Sequence, residues 1–473
     1  MNRLRHFHIY TLLFTLGAIL ATTSCVRDYN TLECEDDGNK YLSLTLSLAP
    51  SGNDGLRMQG DDYSINSDKV NREDYVNDLR IFLIQNGVIK KNVFFTNLIS
   101  SGRGVSTASD PNNGFDYSYK GGKATISFKL AESELGTYDL VVVANEGAYT
   151  NPKSVEGKIT ELPIDREKER EEEAEAALKK ALTEAKTLED LKKIRIPVTR
   201  RYSDTHQGIA YEGKWLDTEY PYVKVLSPMT AEYNNITFSR GGSKESPQQI
   251  KLPTPTQGIE LLRTFAKVEI TIKDCVLLYW EDGEEKLRWR GPWGVGKEMR
   301  FDLKNVPKEV NLFPIREYST ADDFTIEDVG RVKYPGPDTP QIPFVIGYEE
   351  KLKEIKENGL PIGGGYLLDY RHYFYLPEKL VSNDAEGEKK ALQMIYTWSH
   401  IKNYNPWQEI SEPALTTMVT KTETFNFKKK NAGADSYLDP EESGFKPSDN
   451  SVFRNSLYKI LIKPYRYEFP QPK

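Results

Sequence analysis

The chain has 473 residues, with 63 Lys and Arg against 70 Asp and Glu, and so carries a net charge of −7. That balance excludes a general nucleic-acid binder, whose footprint is a basic surface. At 38% hydrophobic, with 28 Tyr and 19 Phe, it has material for packed cores, favours strands over helices, and has the length for two to three domains of about 100–200 residues.

The first element is a leader. Arg3 and Arg5 precede an apolar run at residues 9–21 (IYTLLFTLGAILA), shorter than the roughly 20 residues that span a bilayer. A short apolar run after a positive start and before small residues fits an export signal. Cys25 follows directly on Thr22, Thr23 and Ser24. The arrangement resembles the lipobox of bacterial lipoproteins, although Thr22 stands where an aliphatic residue is usual. The resemblance implies cleavage between Ser24 and Cys25, removal of residues 1–24, and acylation of Cys25 as a tether to the outer membrane. Each buried CH₂ of an acyl chain contributes about 0.8 kcal/mol, so several chains hold firmly. Residues 25–39, with Glu35, Asp36 and Asp37, read as an acidic linker. Cys34 and Cys275, the remaining cysteines, read as independent thiols rather than a disulfide framework.

Residues 41–48 (YLSLTLSL) alternate strictly. Leu42, Leu44, Leu46 and Leu48 share one face and Ser43, Thr45 and Ser47 the other, which is a half-buried β-strand. The long polar loop at 50–74 sets this strand apart as a separable element. Leu79–Ile84, the Asn86-Gly87 turn and Val88-Ile89 predict a hairpin. Strands are predicted at 124–130 and 138–144, the latter (YDLVVVA) apolar enough to be central. Leu178, Ala181, Leu182, Ala185, Leu188 and Leu191 recur at three and four within 165–195, which predicts an amphipathic helix with a solvated charged face. Further strands are expected at 261–272, 276–280, 344–346, 373–376, 392–398 and 458–462. A last short strand is expected at 465–469, between Pro464 and Pro470. The expected fold is mainly β: two tandem Greek-key, transthyretin-like β-sandwiches at 40–275 and 276–473, with a charged helical insertion at 165–195.

The chain does not read as an enzyme. His206, His372 and His400 have no HExxH or CxxC companions to make a metal site. Gly291–Lys297 (GPWGVGK) has phosphate-loop spacing, but Glu298 stands where a Ser or Thr should hold Mg²⁺. Gly363–Gly365 reads as a bend before a strand. There is no GxSxG elbow and no singled-out carboxylate pair. No cofactor and no metal are expected.

Several segments resemble the fimbrillins, the type V pilus subunits of Bacteroidales. They are Val76–Phe82 (VNDLRIF), Val141–Glu146 (VVVANE), Ser227–Thr230 (SPMT), Arg263–Val268 (RTFAKV), Tyr375–Glu378 (YLPE) and Arg454–Lys459 (RNSLYK). The charged helix at 165–195 departs from the pattern of a minimal stalk subunit. The resemblance implies a fimbrial subunit that supports adhesion, exported as a lipidated precursor of two β-sandwiches. It also implies a cut after a basic residue and loss of the first strand, Leu42–Leu48, to a strand supplied by another fimbrial subunit. Arg57 is the expected cut site, with Arg72 second. Tyr465, Tyr467 and Phe469 are the expected donor residues. An anchor or tip role in the same system is the alternative. A glycan-binding lipoprotein using Trp280, Trp289 and Trp293 is another, and host or bacterial surface ligands are possible partners.

Overall fold

The computed structural model describes residues 40–48, 76, 78–96, 98, 106–120, 123–147, 165–198, 228–289, 296–320, 323–333, 345–359, 365–401, 418–428 and 435–462. The first half opens with β1 (Tyr41–Leu48), followed by the hairpin β2 (Leu79–Gln85) and β3 (Val88–Phe95). Asn86 and Gly87 turn it with φ of 53° and 74°, the left-handed pair that a two-residue hairpin loop requires. A meander follows of β4 (Ser106–Asp110), β5 (Phe115–Lys120) and β6 (Lys123–Lys129), and the chain then crosses to β7 (Gly136–Ala144), which pairs with β2 and β9. After the helical region and β8 (Arg195–Pro197) come β9 (Met229–Phe238), β10 (Gln248–Gln249) and β11 (Ile259–Arg263).

These strands, β8 excepted, form one ten-stranded sheet in the order β3-β2-β7-β9-β11-β1-β6-β5-β4, with β10 also on β1. The sheet curls until β4 meets β3, so the two layers of a sandwich are made from one nearly closed surface. Inside lies a core of Leu42, Leu44, Leu79, Ile81, Phe115, Phe128, Leu140, Val142, Phe238 and Ile259, among others. β7, expected to be central, lies between β2 and β9. Both faces of β2 and β7 are buried: Phe82, Ile84, Val141 and Val143 point away from that core into a second one. Their runs are continuous rather than alternating for this reason.

The predicted helix is real but broken. α1 (Asp165–Glu184) and α2 (Leu188–Lys192) are separated by a cap at Thr187. Thr187 Oγ1 accepts from the Asp190 N–H at 3.1 Å, and Asp190 Oδ2 accepts from the Thr187 N–H at 2.9 Å, a reciprocal capping box. Ala174, Leu178, Leu182 and Ala185 lay the apolar stripe on the outer face of β2 and β7. The break is stitched to the hairpin turn, where Ile89 N–H donates to Lys186 O and Leu188 N–H to Gly87 O.

The second half comprises β12 (Phe265–Glu281), β13 (Glu284–Trp289), β14 (Gly296–Pro307), β15 (Glu309–Asn311), β16 (Asp323–Lys333) and β17 (Val345–Ile346), then helix α3 (Tyr348–Asn358). β18 (Gly365–Pro377), β19 (Gln393–Ile401), β20 (Met418–Asn426) and β21 (Leu457–Ile462) complete it. Two sheets result, β13-β12-β18-β17 with β21 on β12, and β16-β14-β19-β20. Val268, Ile270, Ile272 and Leu278 of the first share a core with Phe301, Leu303, Met394 and Tyr396 of the second. β8 pairs with β15, tying the helical region to this half.

The fold is mainly β, as expected. The division expected at 275/276 falls inside β12, and sheet membership instead changes at Thr264, between β11 and β12. Thr264 is fully buried, its N–H and hydroxyl both donating to Pro228 O at 3.1 and 2.7 Å. Ile272 and Val276 bracket a register shift in β12, where Asp274 has φ of 51°. That irregularity explains the gap between the strands expected at 261–272 and 276–280.

Candidate functional site

β1 alternates as its sequence requires, and its place in the sheet is the decisive fact. It is no edge strand. It runs antiparallel to β6, with Leu42 opposite Phe128, Leu44 opposite Ile126 and Leu46 opposite Ala124. On its other side it runs parallel to β10 and β11, with Ser43 opposite Gln249, Leu46 opposite Ile259 and Leu48 opposite Leu261. Leu42 and Leu44 are 1% exposed and Leu46 7%, and each such side chain contributes about 1.5–3 kcal/mol by burial.

Neither neighbour is joined to β1 by a hairpin. Among the described residues no strand of the sheet precedes β1, so one cut in the segment beyond residue 48 leaves it held to the other described strands by non-covalent contacts alone. Removal would open a gap with two bare ladders facing it, β6 on one side and β10 with β11 on the other. The gap left by β1 would therefore be a two-sided slot, and the curled sheet would lose the strand that joins its halves.

The slot is shaped for a close-fitting backbone. A Cβ added at Gly258 would lie 2.6 Å from Thr45 O, and one at Gly242 (φ 69°) would lie 2.7 Å from Tyr41 O. Ile250 N–H donates to Ser43 O at 2.8 Å, and Gln249 Nε2 donates to Thr45 Oγ1 at 3.2 Å. On the polar face of β1 Ser43 is only 6% exposed, and Thr45 is half-buried.

At the other end of the chain, β21 lies parallel on β12 from Lys267 opposite Leu457 to Ile272 opposite Ile462. Arg454, just before it, is fully buried. Its Nε and Nη2 donate to the two carboxylate oxygens of Glu378 at 3.0 and 2.6 Å, and Nη1 and Nη2 to Leu312 O and Asn311 O. Tyr437 donates its hydroxyl to Glu378; burial, and then the Glu378 charge, push that hydroxyl well up, so it stays protonated. Beyond Ile272 the same edge of β12 is taken by β13, starting at Val276 opposite Trp289.

The six segments that resemble the fimbrillins meet in pairs. Arg80 grips Glu146 at 2.6 and 2.7 Å through Nε and Nη2. Asp78 accepts from the Glu146 and Gly147 N–H groups at 2.8 and 2.9 Å. Pro228 holds Thr264, and Glu378 holds Arg454. They are contacts that close the fold, and sequence alone could show them only as separate motifs.

Burial pushes the Asp78 carboxyl up to about 6, against its two backbone hydrogen bonds; Glu146 adds to the rise and Lys179, paired with Glu175, opposes it. A raised folded-state value means stability that is complete below about pH 4 and lost as pH rises through 6, roughly 3 kcal/mol in all. Urea midpoints measured from pH 4 to 7 should show the natural protein losing ground to Asp78→Asn as pH rises. A pH-independent difference would refute this titration.

Ser24, Cys25, Arg57, Arg72, Tyr465, Tyr467 and Phe469 lie outside the described residues, as do Cys34, His206 and Trp293. Cys275 is buried with a free thiol. Gly296 and Lys297 open a strand and not the helix a phosphate loop needs, and Gly365 opens β18. Trp280 packs half-buried against the core. Among the described residues no His, Cys, Asp or Glu cluster could hold a metal ion, and no helix is long and apolar enough to cross a membrane.

No family model and no curated protein matches the chain. Solved structures do. The tip fimbrial protein Mfa3 from Porphyromonas gingivalis is 15% identical, covers 90% of this chain and 95% of its own, and has a TM-score of 0.43. A fimbrilin, FimA, from Porphyromonas gingivalis W83 is 12% identical with 90% of each chain covered and a TM-score of 0.37. The fimbrial anchor protein Mfa2 from Porphyromonas gingivalis is 10% identical over 76% of this chain and 78% of its own, with a TM-score of 0.25. These neighbours are fimbrial proteins. At such identities and scores the likeness transfers none of their individual roles.

Proposed function

We propose that this chain is a subunit of a surface fimbria, exported as a lipoprotein and assembled when a strand from another subunit replaces β1. The observation that carries the reading is the slot: a buried apolar strand, laddered on both sides, with no hairpin to either neighbour. Cys25 would tether the precursor to the outer membrane until a protease cuts in the polar loop after β1, at Arg57 or else Arg72. Loop tips of this composition are preferred sites of nicking. The empty slot would then recruit a strand, as bare sheet edges do.

The N-terminus of the protein on cells tests this. We expect it to start after Arg57, and Arg57→Ala to accumulate precursor and lower the yield of polymer. A lipidated Cys25 at the start of the surface form would favour an anchor and exclude a replaced strand.

The donor in turn would be residues 465–469. Tyr465, Tyr467 and Phe469 alternate with Arg466 and Glu468, and Pro464 cannot donate to a ladder. Deleting residues 464–473 should leave a folded, exported, processed monomer that no longer forms ladders on unheated SDS gels. Ladders of normal length would place the donor elsewhere.

A further inference from the structure

We propose that the β1 slot reads both faces of its occupant and is closed to this chain's own C-terminal segment. The strand it accepts comes from a different subunit, with aliphatic residues at the inner positions and small uncharged residues between them. The inference rests on the strand-replacement reading and adds that assembly at this slot joins unlike chains.

The outer face decides first. Ser43 points away from the leucine core and is nevertheless 6% exposed. Two residues on, the half-buried Thr45 receives the Gln249 amide, and the missing Cβ of Gly258 leaves room for the strand's backbone beside it. The C-terminal segment Tyr465-Arg466-Tyr467-Glu468-Phe469 sets charges between its aromatics. With Tyr465 at position 42, Arg466 falls at 43 and Glu468 at 45. With Tyr465 at 44, Arg466 falls at 45. Starting it two residues earlier puts Glu468 at 43. Seating Tyr465 at 42 or two residues earlier therefore puts a charge at position 43, where the slot buries a small hydroxyl and an unpaired charge is heavily disfavoured; seating it at 44 puts Arg466 at the half-buried position 45 and leaves the inner position 42 without a side chain from the rings.

The inner face agrees. Leu42 sits opposite Phe128, whose ring stacks on Phe115 at 4.7 Å and lies 5.7 Å from that of Phe238. A tyrosine or phenylalanine there would overpack a filled layer, and a tyrosine would also bring a hydroxyl in need of a partner.

The test uses the full precursor, nicked by limited trypsin digestion in the 50–74 loop and offered fluorescent peptides. A peptide of residues 41–48 should enter the slot. A peptide of residues 464–473 should bind at least about tenfold more weakly, and its Arg466→Ser, Glu468→Thr form should recover part of the loss. In the uncut precursor, Ser43→Arg should lower the melting temperature, whereas Ser118→Arg, on the exposed face of β5, should not. Binding of the native tail within about threefold of residues 41–48, or an unchanged melting temperature for Ser43→Arg, would overturn the inference alone. Failure of residues 41–48 to enter would overturn strand replacement itself and this inference with it.

Discussion

Arg454→Met should destabilise the protein by about 3–5 kcal/mol, the range for removing one partner of a buried ion pair. Arg454 is 0% exposed and Glu378 is 4% exposed. Without the guanidinium, the Glu378 carboxylate keeps only the Tyr437 hydroxyl, and the carbonyls of Asn311 and Leu312 lose their donor. The loss would also loosen the start of β21, because Asn455 and Ser456, the next two residues, bond the backbone of β12 at Phe265 and Lys267. Arg454→Met combined with Glu378→Leu should recover part of the stability by removing the orphaned charge, but not all, since the two carbonyls stay unpaired. Urea unfolding of the single and double variants measures both effects. A single variant that loses less than about 1 kcal/mol would mean that water reaches the pair.

How much of this was legible beforehand differs from element to element. β1 was plain because Leu42, Leu44 and Leu46 alternate with small hydroxyl residues, and its bounds, Tyr41–Leu48, are those observed. Its central place was not, because its partners β6 and β11 lie far along the chain and strand pairing leaves no local mark. β5 (FDYSYK) is not among the strands expected from sequence although it alternates, with Phe115, Tyr117 and Tyr119 buried and the residues between them exposed. The switch of sheets at Thr264 was hidden because apolar residues continue on both sides of it, from Leu261 through Phe265 to Val268. The stripe of α1 was readable from its spacing of three and four, yet that spacing could not say that the outer face of β2 and β7 lies beneath it. For the candidate site, the leucines were found from sequence, whereas the glycines and the Gln249 contact that line the slot needed the fold.

If β1 is replaced on assembly as proposed, Leu44→Ala should separate the precursor from the assembled fibre. Leu44 is 1% exposed opposite Ile126, and truncating such a leucine costs about 2–5 kcal/mol, depending on how far the cavity collapses. The uncut variant should therefore melt well below the natural precursor. If β1 is discarded on assembly, the fibre built from this variant has the natural sequence throughout and should be as stable as the natural fibre, provided that enough precursor survives to be cut. Leu83→Ala supplies the contrast. Leu83 is equally buried, on β2, and stays in the chain after any cut before residue 75, so its loss should weaken precursor and fibre alike. Equal weakening of the fibre by both substitutions would mean that β1 is never replaced. A fibre weakened by Leu83→Ala and untouched by Leu44→Ala is the result expected if the slot passes from one strand to another.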